Sequence, residues 1–106
     1  MIKINEEELL NAMNESGESR SLKLFRKRIR RNFRGIMPKK FGIFPGDPKV
    51  YRMSKTICIE MPSWGSYGYR VQLSTLINEL KEYFICDVEY FDGKTTVLVK
   101  EWKKKA

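Results

Sequence analysis

Apolar residues recur at helical spacing in two stretches near the start of the chain. In the first, Leu9, Leu10 and Met13 follow Asn5 and Glu8, whose spacing is that of a capping box with Asn in place of Ser or Thr. In the second, one stripe of apolar side chains repeats every three or four residues: Leu22, Phe25, Ile29, Phe33 and Ile36. The pattern predicts two N-terminal helices. Ser19 or Ser21 caps the second helix, which is expected to reach about Arg34.

Alternation of apolar and polar residues predicts a strand pair in the middle of the chain. Residues 56–61 and 67–73 both alternate, and the loop 62–66 between them suits a hairpin. Upstream, residues 35–53 are punctuated by Gly and Pro. Because a long connection without structure is unusual in a compact domain, we expect a short strand on each side of residues 45–48.

The last third of the chain reads as a helix followed by a hairpin. Ser74 or Thr75 can cap a helix whose apolar positions continue at helical spacing to Phe84. Residues 86–90 and 95–102 then alternate on either side of an Asp-Gly dipeptide, which is typical of two-residue hairpin turns.

These elements predict an α+β fold. Two N-terminal helices are followed by strand–strand–helix–strand–strand, in an antiparallel sheet with the helices packed on one face. We expect a single domain over residues 1–106. Its predicted parts are an acidic N-terminal helix (1–19), a basic helix and arm (20–40), a ββαββ core (54–102) and a basic tail (103–106).

The composition argues against most enzyme chemistry. The chain has 106 residues, no His and two Cys, and 42% of its residues are apolar, which is enough for one modest core. Without His, the Ser–His and Cys–His pairs of nucleophilic catalysis cannot form within the chain, and two Cys alone cannot make a four-ligand zinc site. We therefore expect a protein that is not an enzyme, with no catalytic residue, metal site or cofactor. Cys58 and Cys86 are expected to be reduced packing residues.

No apolar stretch approaches the ~18 residues of a membrane span, and the first residues turn acidic at once instead of forming an apolar signal region. A cytoplasmic protein without a membrane partner is the expectation.

The charge is concentrated in one segment. The chain as a whole carries +8, with 21 basic and 13 acidic residues. Residues 1–19 have a net charge of −4, residues 20–40 have ten basic and no acidic residues, and residues 41–106 have a net charge of only +2. Such an asymmetry is the main functional clue in the sequence.

The basic residues of this segment fall mainly on the side of the second helix opposite its apolar stripe. Arg predominates there, and its planar fork suits phosphate contacts. Like charges also meet at i,i+4 spacing, which opposes the helix unless a polyanion binds to it. The predicted nucleic-acid-binding residues are Arg20, Lys23, Arg26, Lys27, Arg28, Arg30, Arg31, Arg34, Lys39 and Lys40.

Three aromatic residues lie outside the clear helical and strand patterns. Trp64 lies in the predicted hairpin loop, where it can stack on a base, anchor in a partner's pocket, or fold back over the sheet edge, and folding back is the preferred expectation. Phe41 and Phe44 lie beside the cations of the arm and fit either a binding track or the core equally well. In contrast, Tyr67, Tyr69 and Tyr90 share the apolar face of their predicted strands and are expected in the core.

Two functional hypotheses follow. The first is a non-enzymatic nucleic-acid-binding accessory protein that makes phosphate-led, mostly sequence-independent contacts with DNA or RNA through the basic helix. The alternative is a protein–protein adaptor or inhibitor that docks on an acidic surface of a partner, such as a nucleic-acid enzyme, with Trp64, Phe41 and Phe44 as anchors. A face that only keeps the protein soluble is the simplest competing interpretation of the charge.

Overall fold

The predicted α+β fold is confirmed by the computed structural model, which describes residues 3–38 and 47–103. The elements in chain order are α1 (Glu6–Asn14), α2 (Arg20–Asn32), β1 (Lys49–Met53), β2 (Thr56–Pro62), α3 (Tyr67–Tyr83), β3 (Phe84–Phe91) and β4 (Lys94–Trp102). The four strands form one antiparallel sheet in the order β1-β2-β4-β3.

The two N-terminal helices begin where their capping residues predict. The Asn5 side chain accepts a hydrogen bond from the backbone N–H of Glu8, and the Ser19 hydroxyl accepts one from Leu22. The second half of the capping box does not form, since the Glu8 carboxylate binds Arg28 instead. Each helix buries one apolar side against the rest of the molecule.

Two rows of cross-strand neighbours distinguish the faces of the sheet. Val50, Ile59, Val97 and Val88 are neighbours across the four strands and belong to the core that the helices complete. The adjacent row lies on the opposite face, which we call the open face, and consists of Tyr51, Cys58, Leu98 and Asp87. The helices thus cover one face of the sheet, as predicted. Leu9, Phe25 and Leu76 represent the three helices in that core.

The predicted strand over residues 67–73 is wrong, because this segment forms the first two turns of α3. The Ser66 hydroxyl accepts a hydrogen bond from the backbone N–H of Tyr69, so the helix begins well before Ser74 or Thr75. The buried residues of α3 follow helical spacing throughout: Tyr69, Leu73, Leu76 and Leu80. The sequence alternates because apolar Tyr67 and Val71 each stand two positions before a buried residue of α3. These two residues lie one helical turn apart and face solvent, so the alternation does not reflect two faces of a strand.

The hairpin partner of β2 is instead β1, so the ββαββ core begins at Lys49 and not at residue 54. The expected short strand after residue 48 is therefore present, and the arrangement of elements is retained with a different first hairpin. Its turn has Ser54 in the left-handed region, at φ 57°. Residues 45 and 46, which belong to the predicted turn before this strand, lie outside the described residues.

The two cysteines are free, and the fold keeps them too far apart to pair with each other. Cys58 lies on β2 and Cys86 on β3, and β4 separates these strands. With about 4.8 Å between neighbouring strands, their Cα atoms are too far apart for a disulfide. Burial raises the pKa of both thiols, that of Cys86 to about 11, so neither is an activated nucleophile at neutral pH.

Across the described segments, no helix has both the length and the apolar composition that crossing a membrane requires.

The position of the α3 N-terminus can be tested with two serine substitutions. Ser66→Ala removes the capping hydroxyl and is expected to lower the free energy of unfolding by about 1 kcal/mol. Ser74→Ala lies on the exposed side inside the same helix and should leave stability unchanged or raise it slightly, since Ala has the higher helix propensity. Urea unfolding of both variants measures this difference. A larger loss in Ser74→Ala than in Ser66→Ala would contradict the observed start of α3.

Candidate nucleic-acid interface

Burial of the apolar stripe fixes the orientation of α2. Leu22, Phe25, Ile29 and Phe33 are fully buried or nearly so. At 3.6 residues per turn, the side chains opposite this stripe must point to solvent. These exposed residues, with Arg34 just after the helix, form what we call the cationic face: Arg20, Lys23, Lys27, Arg30, Arg31 and Arg34.

Arg26, on one flank of the helix, is held by the fold. Its guanidinium donates hydrogen bonds from Nε (3.0 Å) and Nη2 (2.8 Å) to the carbonyl of Val50, which ties α2 to the edge strand β1. Its Nη1 forms an ion pair with Glu18. The hydrogen bond from Arg26 lowers the pKa of the Glu18 carboxyl. The ion pair is therefore intact at neutral pH and is lost only when acid protonates Glu18.

Arg28, on the other flank, is held by the acidic helix. Its Nε lies 3.2 Å from Oε1 of Glu8 and its Nη2 lies 3.3 Å from Oε2, a bidentate arrangement. The hydrogen bond to Glu8 raises the pKa of Arg28. Arg26 and Arg28, both among the predicted binding residues, therefore connect α2 to its neighbours within the protein.

The six residues of the cationic face have no such partner. None of their side chains makes a hydrogen bond or ion pair with another residue in 3–38 or 47–103, although the charge of Lys23 contributes to lowering the pKa of Glu18. The acidic segment does not cover this face, because Glu8 and Glu18 reach only the flanks, and Glu6 accepts a hydrogen bond from the Trp102 indole. The remaining predicted residues, Lys39, Lys40, Phe41 and Phe44, lie outside the described residues.

The sequence reasoning did not single out Leu24. Its side chain is 43% exposed and lies among the cations of α2. A shallow depression of about 280 Å³ surrounds it, lined by Leu24 and by Arg20, Lys23, Arg26, Lys27 and Arg30. The cationic face therefore carries an apolar spot that the helical spacing of the sequence could have located.

Trp64 does not fold back over the sheet edge, contrary to the preferred expectation. It is 76% exposed, as is Tyr67, and Tyr90 is also exposed, so only Tyr69 of the three predicted core tyrosines is buried. The backbone N–H of Ser63 donates to the carbonyl of Gly93 (2.9 Å), which fixes the Trp64 loop against the turn between β3 and β4.

Tyr69 links this loop to α2. Its hydroxyl donates to the carbonyl of Pro62 (2.6 Å), and its ring meets Phe33 edge-to-face with centroids 5.7 Å apart. Burial raises its pKa, so the phenol stays protonated as a donor. A Cβ on Gly65 would lie 2.5 Å from Cδ2 of Tyr69, so only glycine lets the loop pass this closely. One buried aromatic side chain, Tyr69, therefore joins the C-terminal end of α2 to the start of α3 and to the loop that carries Trp64.

Among the described residues, no group of three or more His, Cys, Asp or Glu side chains is placed to hold a metal ion. Comparison with known proteins gave no match to a family model, a curated protein or a solved structure. Function is therefore inferred from the residues of the site itself.

Repulsion within the cationic face can be measured through Lys27. This residue has Lys23 one turn before it and Arg31 one turn after it, and like charges at i,i+4 cost about 0.2–0.5 kcal/mol each. Lys27→Gln, which keeps helix propensity, should raise the free energy of unfolding by about 0.4–1 kcal/mol at low salt, and the gain should shrink at high salt. Urea unfolding at two salt concentrations tests this, with Lys55→Gln in the turn between β1 and β2 as the control. A destabilised Lys27→Gln would show that the lysine has an attractive partner.

Proposed function

We propose that this protein is a non-enzymatic nucleic-acid-binding accessory protein, in which the cationic face makes phosphate-led and mostly sequence-independent contacts. The observation that carries this proposal is the pairing pattern of α2. Arg26 and Arg28 are satisfied inside the protein, whereas the six cations between these flanks are exposed and have no carboxylate partner among the described residues. A phosphate backbone supplies the negative charges that the chain itself does not bring to this face.

The residue types of the cationic face favour phosphate contacts over base reading. Four of its six residues are Arg, which can bind a phosphate with two parallel hydrogen bonds. Asn and Gln, which read adenine edges, are absent from it, and the one such residue on α2, Asn32, donates its side-chain amide to the Arg28 carbonyl. Contacts of this kind position a nucleic acid without selecting its sequence.

The salt dependence of binding gives a quantitative expectation. If the cationic face neutralises about six phosphates, the logarithm of the affinity for duplex DNA should fall with the logarithm of the salt concentration at a slope of about −5. A single-stranded ligand should give a shallower slope of about −4.

The proposal is tested by removing three cations together. Arg30→Gln, Arg31→Gln and Arg34→Gln in one variant should weaken DNA and RNA binding at least about tenfold at moderate salt and reduce the salt slope by about three. Fluorescence anisotropy with labelled oligonucleotides measures both quantities.

The matched control removes the same charge elsewhere. Lys55→Gln, Lys81→Gln and Lys100→Gln also lower the net charge by three, but these lysines lie at the turn after β1, on the last turn of α3 and on the open face. This variant should retain most of the affinity. If both variants lost the same affinity, net charge alone would explain the loss and not the cationic face. Unchanged affinity in the arginine variant would refute the proposal.

The second candidate is a protein adaptor or inhibitor that docks on an acidic partner surface, and the exposure of Trp64 favours it. In that case replacing Trp64 would weaken partner binding more than replacing the arginines, and no nucleic acid would bind with the expected salt slope.

A further inference from the structure

We infer that Trp64 and Tyr67 form a stacking site for unpaired bases, so that the nucleic acid held by the cationic face is single-stranded. This inference rests on the proposed function and adds the class of ligand to it. It begins from the exposure of the two rings. Each is 76% exposed, although Trp and Tyr are usually buried over most of their surface, and the core is complete without them.

The neighbours of the two rings leave them accessible. Ser63, Gly65, Ser66 and Gly68 surround them in sequence, and a Cβ on Gly68 would meet no atom within 4 Å. The loop that carries Trp64 is held at both ends, by the Ser63 hydroxyl bonded to Thr95 Oγ1 (2.7 Å) and by Ser66 as the cap of α3. Two rings presented on a fixed backbone, with only small residues between them, provide flat surfaces that any base can stack on.

The chain segment that carries the two rings has a positive net charge, which fits a polyanion, although Ser63 binds the Gly93 carbonyl and so brings Asp92 near its edge. Residues 61–78 contain no acidic residue, and their single charged residue, Arg70, is exposed on α3. In contrast, Glu89 and Asp92 flank the other two exposed aromatics at this end of the sheet, Tyr90 and Phe91. We therefore assign Trp64, Tyr67 and Arg70 to the site and leave the hairpin aromatics out, since the adjacent carboxylates would repel phosphates.

The first turn of α3 lies beside the C-terminal end of α2. Arg34 follows Phe33, and the edge-to-face contact of Phe33 with Tyr69 packs the end of α2 against the turn of α3 that carries Tyr67 and Arg70. One strand can then lay its phosphates along α2 and its bases on the rings. A duplex has its bases stacked inside and offers them no unpaired face.

The test compares three ligands of the same length, about 12 nucleotides. These are single-stranded oligothymidine, an abasic deoxyribose-phosphate strand that has the charge without the bases, and a duplex. The double variant Trp64→Ala, Tyr67→Ala should bind oligothymidine at least about tenfold more weakly and should bind the abasic strand and the duplex like the unmodified protein. Oligouridine, measured in parallel, should lose affinity for the double variant to the same extent as oligothymidine.

Two controls separate stacking from a general loss of apolar surface. Trp64→Phe, Tyr67→Phe keeps both rings and should retain most of the oligothymidine affinity. Phe91→Ala removes an equally exposed ring, 82% exposed, from the open face and should leave all three affinities unchanged. The emission of Trp64 should also be quenched by oligothymidine and not by the abasic strand.

The outcomes distinguish this inference from the proposed function. If the double alanine variant binds oligothymidine as tightly as the unmodified protein, or loses all three ligands equally, the stacking site is refuted while the cationic face can still bind phosphates. If the unmodified protein binds none of the three ligands, the proposed function fails, and the stacking site fails with it. Unchanged nucleic-acid binding in the aromatic variant, together with loss of a protein partner, would assign the rings to protein docking instead.

Discussion

The burial of one side of α2 is the interaction on which the rest of this structure depends. Four apolar side chains, Leu22, Phe25, Ile29 and Phe33, are inserted into the core, and each contributes about 1.5–3 kcal/mol relative to an exposed side chain. The three like-charge pairs at i,i+4 within the same helix oppose it by only about 0.6–1.5 kcal/mol in total. Burial is therefore strong enough to hold a row of unneutralised cations outward, and α2 keeps its place without a counterion.

The polar contacts at the flanks of α2 then fix its position on the sheet. Arg26 joins it to the Val50 carbonyl, and Arg28 joins it to Glu8 of α1. A third guanidinium acts similarly at the end of α1, where Arg52 donates to the carbonyls of Ala12 and Glu15. A guanidinium group suits contacts within the protein as well as contacts with a ligand. Its donors form a fixed planar fork that fits backbone carbonyls, carboxylates and phosphates.

The sequence predicted what depends on local pattern and missed what depends on distant contacts. The α2 stripe, the Asn5 and Ser19 caps and the Asp-Gly turn are local signals, and they were sufficient to predict the order of elements. Residues 67–73 were misassigned because their apolar positions fit both a period of two and a helical face, and the buried contact of Tyr69 with Phe33 decides between them. The bond of Arg26 to Val50 spans 24 residues, and no local pattern indicates such a pair.

The placement of the acidic residues favours the proposed binding surface over a merely solvated one. A face that served only solubility would be more stable with Glu placed four residues before Lys or Arg, because such pairs are attractive. This chain has acidic residues close at hand in α1 and in the segment before α2, and the fold directs Glu8 and Glu18 to the flanking arginines rather than to the exposed row. The repulsion in the middle of the helix is thus retained where it could have been relieved. Residues kept at a cost to stability are characteristic of functional surfaces, and the proposed binding of an anion would remove this cost.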